Sequence, residues 1–304
     1  AISATIPGLV KKDELVKANS LNQLSRAATM ILGPVLGAFL LGTTGYFGAF
    51  LINGIAFLLS ALSETFIRFP QVVREPSVSS NGPSGWQFFT SFKEGFAYIW
   101  NDIGLRSLIF YATALNFLGA PLLNVVFPYF GKEVLLLDAQ QYGTIQAVLP
   151  VGFLVGTVSI GYLTKKFQKT SLLTFGITTQ GLVAGLLGVF ALPSVYGSAG
   201  ITSTILAMSG SLLLIGVLNT MVNVPFQVML QETVPDSYRG RVYGLIDSIG
   251  QMLVPLSMAL SGVLVDSFST SSLFIFSGLI TAALGLRMAA SAKIKLLYAQ
   301  QEAA

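Results

Sequence analysis

The side chains best placed for polar work inside apolar surroundings are carboxamides. Asn219, Asn223 and Gln227 recur at i, i+4 and i+8, with Thr220 beside them and Pro225 set to interrupt the helix. Upstream, Asn116 and Asn124 stand eight residues apart among Pro121 and Pro128. An amide at lipid depth donates and accepts without carrying charge, so it either hydrogen-bonds a neighbouring helix or faces a watery cavity. The second use fits an uncharged or amphipathic molecule held among Phe117, Phe127, Phe226 and Met221. Other chemistries are scarce. The chain has no histidine and no cysteine, which excludes thiol, disulfide and imidazole chemistry and leaves no expected metal site. No Gly-x-x-x-x-Gly-Lys-[Ser/Thr] loop occurs, so nucleotide hydrolysis is not expected, nor any enzymatic activity or cofactor. Glu64, Glu133, Glu232, Asp138, Asp236 and Asp266 fall near the ends of apolar runs and mark no ion-coupling site. Asp247 is different: it lies two helical turns inside such a run, where a carboxylate needs a partner, and Arg239, Arg241 or a cytoplasmic lysine is the expected one.

The elements that must position these groups are membrane helices. Only 10% of the 304 residues are charged, against about 25% in a soluble domain, and mean hydropathy is +0.73. Apolar runs at 27–41, 47–67, 108–130, 142–163, 172–192, 204–230, 242–265 and 272–290 approach or exceed the roughly 20 residues that cross a bilayer core. Eight spans are expected, all helical because backbone amides find no water in lipid. If the first enters from the cytoplasm, 16 of the 17 basic residues lie inside and only Lys132 outside, a strong positive-inside pattern that also puts the C-terminus in the cytoplasm. The net charge of +4 thus reports topology, and the scattered basic residues form no patch for nucleic acid. No cleavable signal peptide is visible, since Lys11, Lys12, Asp13 and Glu14 stand where an apolar stretch is needed. A chain opening on Ala1 reads as part of something longer.

Residues 69–105 break the series. Pro70, Pro76, Gly82, Pro83 and Gly85 favour a loop, whereas Trp86, Phe89, Phe92, Phe96 and Ile99 follow at helical spacing. That second part reads as a helix lying on the cytoplasmic interface, or equally as a linker helix packed on a loop. It divides the chain into 1–69, an inter-bundle segment 70–105, and 106–304.

Residues 15–54 can be laid on residues 239–278 at a constant offset of 224, matching Leu21 to Leu245, Leu36 to Leu260 and Gly54 to Gly278. Internal repeats joined by many apolar runs mark secondary transporters. Motifs sharpen this. The opening Glu14-Leu15-Val16-Lys17-Ala18-Asn19-Ser20-Leu21 is similar to the cytoplasmic approach to helix five in bacterial macrolide-efflux and siderophore-exporter members of the major facilitator superfamily. Gly33-Pro34-Val35-Leu36-Gly37-Ala38 resembles the core of that superfamily's antiporter motif, with Thr29 and Ala38 where glycines are usual. The stretch from Gly161 through Lys165, Lys166 and Lys169 resembles its second basic loop, with Lys165 for an aspartate and Gln168 for a glycine. The run from Val234 through Arg239, Gly240 and Arg241 to Leu245 looks like the loop into helix eleven.

The resemblance implies an all-α polytopic protein of the major facilitator fold, its eight transmembrane helices corresponding to family helices five to twelve. It implies a secondary transporter that exports a small amphipathic compound across the bacterial cytoplasmic membrane by alternating access, with protons as the coupling ion and the lipid bilayer as its setting. The spans carrying the amides correspond to helices seven and ten, which line the family's central cavity. Gly33 and Gly37, four apart on one face, permit close helix approach, while Pro34 bends the span; ordinary membrane packing is the alternative reading. Arg239 and Arg241 around Gly240 could pair with acidic groups in one conformation and release them in the other, or anchor one conformation throughout. A scaffold or sensor built on a degenerate transporter fold, and a lipid or lysolipid flippase of the same fold, are the competing functions.

Overall fold

The computed structural model describes Ile6 and residues 10–66 and 84–291. Among these residues every regular element is helical. Helix α1 covers Leu15–Thr65, α2 Ser84–Asn101, α3 Ile103–Val134, α4 Ala139–Lys166, α5 Lys169–Phe190, α6 Pro193–Ala199, α7 Ile201–Thr233, α8 Asp236–Ser267 and α9 Thr270–Ala290. Within them, seven segments are long and apolar enough to cross a membrane. The expected span 27–41 includes residues whose side chains, that of Pro34 among them, lie outside the described set, as do residues 67–83, the side chains of Trp86 and Phe89, and Lys293 and Lys295.

One kink and two proline-bearing helices qualify the expected boundaries. The first two expected spans are two helical segments within Leu15–Thr65, parted by a kink at Gly45, whose φ of 65° is open to glycine and costly for other residues. Proline breaks neither α3 nor α7. Pro225 sits inside an uninterrupted α7, and α3 continues past Pro121 and Pro128 with π-helical turns at Leu122–Val126 and Phe130–Val134, the first of them holding Asn124, whose carbonyl the Pro128 ring would meet in a regular helix. A wider turn relieves the missing N–H and the clash of the proline ring with the preceding carbonyl.

Helices α5 and α9, α4 and α7, and α5 and α7 make the most extensive pairings, and α1 lies along α4 and α7. Small residues set those distances. A Cβ on Gly156 would lie 2.8 Å from Thr220 Cβ, and one on Gly216 would lie 2.5 Å from the Leu149 carbonyl, which holds α4 against α7. Gly278 fits between Gly181 and Gly185 in the same way, bringing α9 against α5. Phe127, Phe130 and Phe274 are fully buried at the centre of the largest apolar cluster, with Phe130 and Phe274 edge to face at 6.2 Å. On the outside the pattern inverts. No residue of Gly42–Thr65 is buried, and Phe47, Phe50, Phe57 and Leu58 are each at least 69% exposed, a surface suited to lipid tails and costly in water.

Candidate functional site

A cavity of about 260 Å³ opens between α3, α5, α7 and α9. Asn116, Gln180, Asn219, Asn223, Ser277 and Thr281 supply its polar lining, and Tyr111 and Phe226 stand among the aliphatic side chains that form the rest. Asn223 Nδ2 donates to Asn219 Oδ1 at 2.7 Å and to the Asn219 carbonyl at 3.0 Å, so two of the expected amides act as a linked pair. Asn116 Nδ2 donates to the Ala112 carbonyl at 2.9 Å. Gln180 Nε2 reaches the Ile215 carbonyl at 3.4 Å, and the buried Ser277 Oγ has no partner among the described residues. The lining is an extensive apolar wall with a few amides and hydroxyls set in it.

Three of the six amide and hydroxyl positions expected to share one path are elsewhere. Eight residues of α-helix overshoot two turns by about 80°, and Gln227 accordingly leaves the face of Asn219 for the side of α7 that meets α1. Thr220, fully buried, turns to α4, its hydroxyl 3.4 Å from the Phe153 carbonyl and from the Gly216 carbonyl. Asn124, in the first π-turn, donates back to the Ala120 carbonyl at 2.7 Å and does not line the cavity. Of the expected aromatic and Met surroundings, Phe226 lines the cavity, while Phe127 belongs to the core and Phe117 and Met221 are not in the wall.

The expected gate residues are also redistributed. Arg239 Nη1 pairs with Asp236 at 2.6 Å one turn away on its own helix, and its Nη2 donates to the Gln231 carbonyl at 3.3 Å. Arg241 Nη1 pairs with Glu94 of α2 at 3.0 Å, and its guanidinium lies 5.5 Å from the Tyr238 ring, which stacks on Tyr98 at 4.6 Å. Gly95 completes that contact, since a Cβ there would lie 2.9 Å from Leu245. Burial, reinforced by Asp102 and Tyr238, pushes the Tyr98 hydroxyl above its ordinary value of 10. Asp247 is exposed and has no ion pair among the described residues, because both arginines are engaged elsewhere; the expected pairing is absent. Gly33, Gly37, Gly161 and Gly240 have no atom within 4 Å of a Cβ position, so the close approach expected at Gly33 and Gly37 is not made among the described residues. Lys165 and Lys166 are exposed. The lysine that does pair is Lys169, which meets both carboxylate oxygens of Glu232 at 2.6 and 2.8 Å and ties α5 to α7.

One contact had no warning in the sequence. Asn19 of α1 and Gln231 of α7 exchange amide hydrogen bonds at 2.7 and 3.3 Å, with both side chains buried. From there a polar seam follows the two helices: Asn22, Gln23 and Arg26 of α1 share a second, smaller cavity of about 40 Å³ with Asn223 and Gln227 of α7. The spacing 19, 22, 23, 26 is one helical face, but a single sequence cannot say which partner, some 200 residues on, it will meet.

A profile of the Major Facilitator Superfamily matches residues 1–256 and again 109–296. The chain is 25% identical over 288 residues to the uncharacterized MFS-type transporter YkuC of Bacillus subtilis, covering 92% of this chain and 63% of that protein. It is 22% identical to macrolide efflux protein A of Streptococcus pyogenes, covering 91% and 65%, and 23% identical to the multidrug efflux pump Tap of Mycolicibacterium fortuitum, covering 88% and 61%. The chain therefore spans a little under two thirds of the length of these relatives. Among solved structures, a bacterial homologue of the iron transporter ferroportin in an outward-facing state superposes with a TM-score of 0.67 at 18% identity, over 95% of this chain and 68% of that one. With a fold of apolar helices, an internal cavity between them and a family profile covering nearly every residue, the chain is a multi-pass membrane protein and belongs to the Major Facilitator Superfamily.

Proposed function

We propose that this protein exports a small amphipathic compound across a bacterial cytoplasmic membrane by alternating access, driven by protons, with its C-terminus in the cytoplasm. The observation that carries the reading is the cavity between α3, α5, α7 and α9, whose apolar wall is punctuated by Asn116 and the linked Asn219–Asn223 pair. Relatives named for macrolide and multidrug efflux support the direction of transport. In this reading α1 ends one helical bundle, α2 lies between bundles and α3–α9 form the second, so that the α1–α7 seam opens and closes as the bundles rock. No acidic residue lines the cavity, so the carboxylate that takes up the proton is placed outside it. The relevant positions are the substrate path at Asn116, Asn219 and Asn223, and the cytoplasmic contacts of Arg239 and Arg241.

The test is energy-dependent efflux of a panel of fluorescent amphiphiles from cells expressing the protein, beside an Asn219→Leu/Asn223→Leu double variant. Efflux that collapses with an uncoupler, and falls at least tenfold in a variant inserted at normal levels, is the expected result. Efflux equal to that of vector-only cells across the panel would overturn the export reading and favour a non-transporting scaffold.

A further inference from the structure

The smaller cavity on the α1–α7 seam is lined by amides around a single cation, Arg26. Arg26, Asn22, Gln23, Asn223 and Gln227 all line it, and all but Asn223, whose amide hydrogens go to Asn219, have a donor to offer. No acidic residue is in the wall, and Arg26 has no ion pair among the described residues. The nearest sign of an unfilled requirement is Gln227, whose Oε1 is buried without a hydrogen-bond partner. Turning that amide by half a revolution would put Nε2 at that position, so that the wall presents a donor in place of an unpaired acceptor. Asn223 adds a second fact: it lines both this cavity and the larger one, so the two spaces adjoin at its side chain. About 40 Å³ admits a group of a few heavy atoms, given that one water needs at least about 10–15 Å³ on the same measure.

We propose that the substrate is an amphiphile with an anionic head, its carboxylate or phosphate seated on Arg26 with Asn22, Gln23 and Gln227, and its apolar tail passing Asn223 into the larger cavity. The inference rests on the export reading and narrows its substrate class. A guanidinium holds a carboxylate or phosphate through paired charge-assisted hydrogen bonds, and discriminates against a neutral head that offers no charge. A cationic amphiphile would meet Arg26 as a like charge. The same head chemistry belongs to free fatty acids and to anionic lipids.

The experiment is photo-cross-linking of the purified protein in nanodiscs, with a twelve-carbon carboxylate bearing a diazirine in its tail and with the matching alcohol. Labelled positions are read by mass spectrometry. The carboxylate should label α3 and α7 around the larger cavity, and Arg26→Gln should reduce that labelling about ten- to a hundredfold, the range for a lost charge-assisted contact. Labelling by the alcohol should be weaker and unchanged by Arg26→Gln, and Arg26→Lys should restore part of the difference. Nanodiscs with and without phosphatidylglycerol separate the sources: loss of labelling in the anionic lipid assigns the head site to lipid, and undiminished labelling assigns it to the free amphiphile. Equal labelling of the larger cavity by carboxylate and alcohol, indifferent to Arg26→Gln, overturns the anionic preference while leaving the export reading in place. Absence of labelling by either probe overturns both.

Discussion

The reciprocal amide pair between Asn19 and Gln231 offers the most direct handle on the α1–α7 seam. Asn19→Leu keeps the branching of the side chain and removes both hydrogen bonds to Gln231, at 2.7 and 3.3 Å, from a site where the two residues are 5% and 1% exposed. Gln231 keeps its other contacts, so the loss is less than that of a wholly stranded amide, about 1–2 kcal/mol. If the seam exists in only one of two conformations, that energy moves the equilibrium between them by about five- to thirtyfold. Distances between spin labels at Lys17→Cys and Gln168→Cys read the change, because the chain has no native cysteine and both positions are exposed. They lie near the end of the bundle where Leu15 packs with Ile160 and Leu172. The longer-distance population should grow by the stated factor in Asn19→Leu, with the melting temperature little altered. An unchanged distance distribution in a well-folded variant would refute the idea that this pair belongs to a moving interface.

Three further expectations follow from packing and charge. Gly278→Val should force α9 from α5, because Gly181 and Gly185 already touch it, and should cost about 1–3 kcal/mol in detergent melting curves; the same change at exposed Gly262, with open space at its Cβ, should cost far less. Glu232→Gln strands the partly buried Lys169 ammonium and should lower stability by about 1–2 kcal/mol, between surface and buried pairs, with Lys169→Met/Glu232→Met recovering most of the loss. The raised pKa of Tyr98 means that its proton is held more tightly when α2 is docked on α8, so docking is favoured below pH 10 and weakens as pH rises through the elevated value. Proteolysis of α2 should accelerate at high pH in the wild-type protein and lose that dependence in Tyr98→Phe.

Hydropathy made most helices legible because a bilayer demands long apolar runs whatever their tertiary partners. The Asn219–Asn223 pair was legible too: at a spacing of four, the two side chains must share a face. At a spacing of eight the accumulated rotation sends Gln227 to another interface, and in α3 Asn124 bonds back to the Ala120 carbonyl and does not join Asn116 in the cavity wall. The partners of Arg239, Arg241 and Lys169 could not be read in the same manner. Each had several acidic residues within loop reach, and which one it meets depends on how α2, α5, α7 and α8 pack. Asn19 lay within a motif that pointed to the family, yet its contact with Gln231 is a property of two helices 212 residues apart in sequence.

The π-turns of α3 have a mechanical consequence. A π-turn holds one residue more than an α-turn, so tightening one into α geometry rotates everything beyond it by about 100° and advances it by about 1.5 Å. Two such turns bracket Phe127–Tyr129. Phe127 and Phe130, fully buried beside these turns, would both have to leave the core for the first turn to tighten, so the packing of the aromatic cluster holds the wider turns in place.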